Sequence, residues 1–206
     1  MFGRFGDAPR IYRAEATVKQ VADQRQALRL LAELTARSIS HQLVFSTAIQ
    51  ITRKCPSRDD ACELEAIFAA IKTGDPDVPP LMNGFRYVAD PRLFDRFTSP
   101  VKNLEMGITA AQGGGAAAGD CDDHASLNAA LAAAVGFKTG LRAWGKLGQD
   151  YEHVFAVAGL PKRAPTQWYA MDTTVDHAYV GWEPPPGNVL TAVIDDGGVV
   201  FNGRRR

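Results

Sequence analysis

Hydrophobic positions in the first half of the chain recur with the spacing of amphipathic helices. Over residues 16–38, five apolar residues at intervals of three or seven fall on one face, which predicts a helix. A second apolar stripe follows Ser57, a candidate N-cap, and predicts a helix over residues 58–73. A third helix, rich in alanine, is predicted over residues 121–135 because Gly136 is a typical helix end.

The pattern changes after Gly136, where apolar and polar residues begin to alternate as they do in strands. The alternation predicts strands over residues 138–144, 152–158 and 167–173, and a terminal hairpin around residues 195–198. The glycine- and alanine-rich run over residues 113–119 is predicted to be a flexible loop. Helices followed by strands indicate an α+β fold with an antiparallel sheet.

Composition and charge narrow the range of functions. The chain has 206 residues, of which 46% are hydrophobic and 22% charged, as in ordinary globular proteins. Lys plus Arg is 23 and Asp plus Glu is 23, so the chain lacks the positive charge typical of nucleic-acid binding. It has neither an apolar run of membrane-spanning length nor a signal-peptide pattern. We therefore expect a soluble protein in the cytoplasm of the producing cell, without a nucleic-acid or membrane partner.

The three cysteines fall into a close pair and one distant residue. Cys55 and Cys62 could form a disulfide outside the cell, but a reducing cytoplasm favours two free thiols. Cys121 lies in the sequence GDCDDHA at the start of the third predicted helix. Unpaired backbone N–H groups at a helix start stabilise a thiolate and lower the thiol pKa. The neighbouring carboxylates of Asp120, Asp122 and Asp123 act in the opposite direction.

A cysteine nucleophile needs a base, and two residues of the predicted strands are candidates for the rest of a triad. His153 shares a strand face with Phe155 and Val157, and Asp172 ends another apolar strand. Burying a carboxylate costs several kcal/mol unless it is paired. If these strands are antiparallel neighbours, Asp172 can orient the His153 ring. The alternative is that both residues have only structural roles.

Residues near the predicted triad have other candidate roles. Cys121 and His124 lie three apart on a helix and could share a zinc ion, but no spacing typical of a zinc site supports this. We therefore expect no metal and no cofactor. His124 is expected on the helix surface or as a support for the site. Gln112 is a candidate donor to an oxyanion. The tryptophans are expected in packing or along a substrate groove. The chain has three of them, Trp144, Trp168 and Trp182.

The order of these motifs resembles the transglutaminase-like core of the papain-like cysteine peptidases. The resemblance starts with Gly119-Asp120-Cys121 opening an alanine-rich helix. It continues with the strand beginning His153-Val-Phe-Ala-Val and the run Trp168-Tyr-Ala-Met-Asp172. It covers roughly residues 57–182 and implies a papain-like fold. It also implies acyl transfer from an amide, through a thioester, to water or an amine. Cys121 would be the nucleophile, His153 the base and then the acid, and Asp172 the orienting group.

The short chain and its GDCDDHA sequence are most similar to small transglutaminase-like proteins encoded by bacteriophages and prophages. The resemblance implies a peptide or amide substrate and a place in the virion. Residues 1–55 are interpreted as an N-terminal arm and helix that docks on phage structural proteins, and residues 56–206 as the transglutaminase-like domain. The alternative is a non-catalytic structural or assembly protein with the same fold. The substrate, the oligomeric state and the choice between hydrolysis and cross-linking stay open.

Overall fold

The computed structural model describes residues 15–19, 24–89, 94–195 and 198–202. Its helices are α1 Gln24–Ser38, α2 Gln42–Thr52, α3 Asp60–Lys72, α4 Pro100–Gln112 and α5 Cys121–Ala134. Its strands are β1 Glu15–Lys19, β2 Phe85–Tyr87, β3 Phe94–Thr98, β4 Ala117–Gly119, β5 Thr139–Gly145, β6 His153–Leu160, β7 Gln167–Met171, β8 Asn188–Asp195 and β9 Gly198–Asn202. The first fourteen residues, at the start of the predicted arm, lie outside the described residues.

Five strands form the main sheet, in the order β7-β6-β5-β8-β9, and every neighbouring pair is antiparallel. The three strands predicted after residue 136 correspond to β5, β6 and β7, and the predicted terminal hairpin is β8–β9. Helices dominate the first two thirds of the chain and the sheet follows them. The α+β class with an antiparallel sheet is therefore confirmed.

Helix α5 lies at the centre of the fold. It contacts the other four helices and strands β5 and β6, and its residues from Asp122 to Ala132 are all buried. Alanine suits this position because its small side chain lets several elements approach the helix backbone closely. A helix buried on every side is held rigidly, so the residues at its start have fixed positions. None of the helices in the described ranges is long and apolar enough to cross a membrane.

The segment before residue 56 contributes to the same core. Leu28 and Leu31 of α1 and Val44 and Ile51 of α2 are all buried in the cluster that contains the alanines of α5. Helix α1 also contacts β5, β8 and β9. The described part of the predicted arm is thus packed into the body of the protein. Its role in docking a partner stays a prediction.

Two local predictions in the first half of the chain are wrong. Residues 15–19 form β1, paired with β3, so the predicted helix over residues 16–38 begins only at Gln24. Helix α3 is capped by Asp59, whose side chain accepts a hydrogen bond from the backbone N of Cys62, and not by Ser57. A distant strand decides the first case, whereas in the second the local cap is Asp59 and not Ser57.

The predicted flexible loop over residues 113–119 is ordered in its second half. Ala117–Gly119 forms β4, which pairs in parallel with β2. A strand this short needs only a backbone partner, so small side chains do not prevent its formation. Gly119 has a specific reason to be glycine, because a Cβ there would overlap the carboxylate of Asp123. Strand β4 leads directly into α5 and fixes the direction of the chain at Cys121.

The expectation of two free thiols in the cysteine pair is wrong, because Cys55 and Cys62 form a disulfide. Their Cα atoms lie 5.7 Å apart, within the usual range for a disulfide. The turn capped by Asp59 brings the first turn of α3 back toward Cys55. All three cysteines are described, and Cys121 is the one with a free thiol.

Candidate active site

Cys121 is the first residue of α5, at the point where β4 ends. The side chain of Asp120 caps the helix by accepting a hydrogen bond from the backbone N of Asp122, at 3.1 Å. The thiol of Cys121 is half-buried, and the backbone N–H of Val154 donates a hydrogen bond to its sulfur. This bond joins the start of α5 to the start of β6, the strand that begins with His153.

The electrostatic surroundings of the thiol differ from those expected of a helix start alone. Burial raises the pKa of the Cys121 thiol above its ordinary value, and the charges of Asp120 and Asp122 raise it further. The hydrogen bond from Val154 lowers the thiol pKa but does not reverse the shift. The thiol is therefore protonated at neutral pH, and a reaction at the sulfur requires a base that removes its proton.

The carboxylates beside the sulfur offer a direct test of this shift. Asp120→Asn keeps a side chain that can cap the helix but removes one charge, and Asp122→Asn also removes one. Each variant is expected to lower the thiol pKa and to raise alkylation by iodoacetamide at pH 7 by up to about tenfold. Thiolate absorbance against pH checks the direction. Asp77→Asn, at an exposed position bound to Lys54, is the matched control and should leave the thiol unchanged.

His153 and Asp172 are brought together as the triad hypothesis requires. Strands β6 and β7 are antiparallel neighbours, and their last paired residues at this end are Ala156 and Met171. The carboxylate oxygen Oδ2 of Asp172 lies 2.7 Å from Nε2 of His153. The Asp172 side chain is 1% exposed and that of His153 is 21% exposed. The buried carboxylate thus has a partner that itself reaches solvent.

The charge state of Asp172 determines which ring nitrogen of His153 carries hydrogen. Burial raises the Asp172 pKa, but the hydrogen bond and charge of His153 and two hydrogen bonds from Thr174 outweigh it. The net pKa lies below the ordinary value, so Asp172 is ionised and only accepts hydrogen bonds. Nε2 of His153 therefore donates to it. In the neutral ring this leaves Nδ1 as the nitrogen that can accept a proton.

Cys121 and His153 line the same cavity, which has a volume of about 290 Å³. It lies between the start of α5, the start of β6 and helix α1, with Leu28, Leu31 and Phe97 among its apolar lining residues. This volume is at the lower end for ligand pockets, so it suits one side chain or the end of a chain. A larger cavity of about 670 Å³ is lined by Trp144, Phe155 and Trp168 but not by Cys121.

Gln24 also lines the cavity that contains the Cys121 thiol, and the sequence pattern did not predict it. Its side-chain nitrogen donates to the backbone O of Tyr151 at 3.2 Å, and its side-chain oxygen accepts from the backbone N of Tyr151 at 3.1 Å. These bonds tie α1 to the segment that leads into His153. Gln112, the candidate oxyanion donor, is the last residue of α4 and is not among the residues that line the cavity. Gln24 and Tyr151 are 127 residues apart, so local spacing gives no sign of their pairing.

His124 is buried, and its expected position on the helix surface is wrong. The residue is 2% exposed, its ring meets Phe85 edge-on at 4.9 Å, and its Nδ1 lies 2.8 Å from the hydroxyl of Thr173. Burial lowers the pKa of the His124 imidazole to about 4, so the ring is neutral at neutral pH. Through this hydrogen bond His124 contacts Thr173, the residue that follows Asp172. The other expectation, that His124 supports the site, stays a prediction.

Carboxylates, rather than Cys121 with His124, form the group best able to hold a metal. One oxygen each of Asp120, Asp122 and Asp123 lies within 4.8 Å of the others. Asp120 also caps α5, and Asp123 accepts a hydrogen bond from the backbone N of Thr98 at 3.1 Å. These contacts give two of the three carboxylates a structural role. Within the described ranges, no group of three metal-binding side chains includes Cys121 or His124.

No protein-family model matches the chain, and no curated protein matches its sequence. The class of the protein therefore rests on its own fold and site. These define an α+β domain in which a helix-start thiol shares a cavity with a histidine bound to a buried aspartate. The similarity to transglutaminase-like proteins stays a prediction.

Proposed function

We propose that the protein is a cysteine hydrolase or acyltransferase with a papain-like, transglutaminase-like core. Its substrate is an amide, in a peptide or a related compound. Cys121 is the nucleophile, His153 the base and then the acid, and Asp172 the group that orients the ring. The observation that carries this proposal is the hydrogen bond between Asp172 and His153 beside a cavity that also contains the Cys121 thiol.

The proposed reaction moves one proton through His153. Nδ1 of the ring takes the thiol proton as the sulfur of Cys121 bonds to the amide carbonyl carbon. The ring then gives that proton to the leaving nitrogen, the C–N bond breaks, and a thioester remains. Water or an amine then attacks the thioester carbonyl carbon and loses its proton to the ring. The C–S bond breaks, the acid or amide product leaves, and the ring returns the proton to the sulfur, which restores the thiol. The ionised Asp172 stabilises the ring while it is charged.

Two features of the thiol suit this sequence of steps. Because the pKa of Cys121 is raised, a resting thiolate contributes little at neutral pH, and transfer to His153 during attack becomes necessary. The backbone N–H of Cys121 is at the first position of α5, where helix N–H groups have no partner within the helix. It can donate to the oxygen that becomes negative in the tetrahedral intermediate.

The raised thiol pKa also favours a second candidate function. A thiol that is buried beside Asp120 and Asp122 is a poor nucleophile unless the base acts efficiently. A structural or assembly protein of a phage particle could keep this fold after the chemistry has been lost. The two functions differ in whether Cys121 can be acylated.

Acylation by an activated ester tests the proposal without knowledge of the natural substrate. With p-nitrophenyl acetate at pH 7, the protein is expected to release one nitrophenolate per chain in a burst and to carry one acetyl group on Cys121. Stopped-flow absorbance and peptide mass spectrometry measure the two. Cys121→Ala should show no burst. A protein that is folded but is not acetylated at Cys121 would instead support the structural function.

A further inference from the structure

We propose that His124 and Asn128 are positioning residues of the proposed triad, which hold Asp172 in place through the hydroxyl of Thr173. The inference rests on the proposed function and explains a buried histidine that its reaction steps do not use. It concerns how the helix that carries the nucleophile is joined to the carboxylate that orients the base.

The first step is the geometry of α5. His124 and Asn128 are four residues apart, so their side chains lie on the same helix face, one turn beyond Cys121. Both are buried, at 2% and 0% exposure. Asn128 donates from its side-chain nitrogen to the backbone O of His124 at 2.9 Å, which fixes one residue relative to the other.

The second step is the hydroxyl on which both side chains converge. The side-chain nitrogen of Asn128 donates to Oγ1 of Thr173 at 2.9 Å, and Nδ1 of His124 lies 2.8 Å from the same atom. Thr173 is 6% exposed, so these hydrogen bonds are shielded from water. Thr173 follows Asp172 directly in the chain, and fixing its side chain limits the motion of the Asp172 backbone.

The third step is the position of Asp172 relative to the sheet. The pairing of β6 and β7 ends at Ala156 and Met171, so Asp172 lies just beyond the ladder. Continuing the register would place Asp172 opposite Phe155, and it reaches His153 diagonally, two residues along β6. Thr174 holds the Asp172 carboxylate through two hydrogen bonds, but it belongs to the same segment. The contacts of Thr173 with α5 tie this segment to the helix of the nucleophile.

The chemistry of the three side chains suits a passive support. The His124 ring is neutral at neutral pH, so it adds no charge that would compete with His153 for Asp172. The hydroxyl of Thr173, held between His124 and Asn128, has a fixed hydrogen-bond orientation. A displacement of a catalytic group by about 1 Å can reduce a rate roughly 100-fold, so a fixed segment matters to the proposed reaction.

The test compares Thr173→Val, which removes the hydroxyl at nearly constant shape, with Thr173→Ser, which keeps it. Two readouts are used: the pH profile of acylation by p-nitrophenyl acetate, and the low-field NMR resonance of the His153 Nε2 proton. Thr173→Val is expected to slow acylation roughly 10- to 100-fold, to change the pH profile and to shift the resonance. Thr173→Ser is expected to stay close to the original protein in both.

Controls separate positioning from general loss of stability. Thr35→Val removes a buried threonine hydroxyl that bonds to Leu31 within α1, and it should change neither readout. If Thr173→Val does not fold, Asn128→Leu serves instead, since Oδ1 of Asn128 has no hydrogen-bond partner to lose. A folded Thr173→Val or Asn128→Leu variant with an unchanged resonance and pH profile overturns the inference. If the original protein is not acylated, the proposed function fails, and the resonance still decides whether Thr173 positions Asp172.

Discussion

Replacing His153 with alanine is expected to slow the acylation of Cys121 roughly 10²- to 10⁴-fold at pH 7, the usual contribution of a general base. The reason is the raised pKa of the Cys121 thiol, which leaves it protonated unless the ring removes its proton. The rate of nitrophenolate release in a stopped-flow experiment measures the effect.

A matched variant separates this effect from the loss of any histidine. His177→Ala removes a ring that packs edge-on against Trp182 at 5.1 Å, and His177 is not among the residues lining the Cys121 cavity. It should acylate at the original rate. Acylation of Cys121 should also be slow in Asp172→Asn, because an amide cannot stabilise the charged His153 ring as the carboxylate does. Equal rates in His153→Ala and the original protein would exclude His153 as the base.

The free energy of unfolding is expected to fall by about 3 kcal/mol between pH 6.5 and pH 4 because of His124 alone. In the folded protein burial lowers the pKa of this ring to about 4, whereas in the unfolded chain it binds a proton near pH 6.5. The unfolded state therefore binds more protons within this window. The stability is fully present above the window and is lost as the pH falls through it.

Urea unfolding followed by circular dichroism at several pH values measures this loss. His124→Gln removes the titrating group, so its unfolding free energy should depend less on pH across the window, whatever its absolute value. Asp172 contributes at lower pH, because its pKa lies below the ordinary value of 3.8. A His124→Gln variant with the same pH dependence as the original protein would show that the ring is not buried in its neutral form.

Strong local patterns made the second half of the chain predictable. Helix α5 starts at Cys121, as the glycine-containing loop and the alanine run indicate, and β5 to β7 follow the alternation of apolar residues. The approach of Asp172 to His153 was expected on the condition that their strands pair, and they do pair. In these elements, local pattern and tertiary packing favour the same structure.

The missed elements depend on partners far away in the chain. Helix α4 was not predicted, and the interior Gly107 weakens its pattern. The structure explains this glycine, because a Cβ there would overlap the backbone O of Pro80. Strand β1 exists through its pairing with β3. The burial of His124 depends on Phe85 and Thr173, which no spacing around residue 124 reveals.

The pH dependence of Cys121 alkylation by iodoacetamide tests the shared role of the thiol and the imidazole most directly, since it needs no substrate. The other two cysteines form a disulfide, so the reaction reports on Cys121. We expect the original protein to react at neutral pH, and His153→Ala to react only above the ordinary thiol pKa of 9.0. Superimposable profiles for the two proteins would contradict the proposal that His153 takes the proton of Cys121.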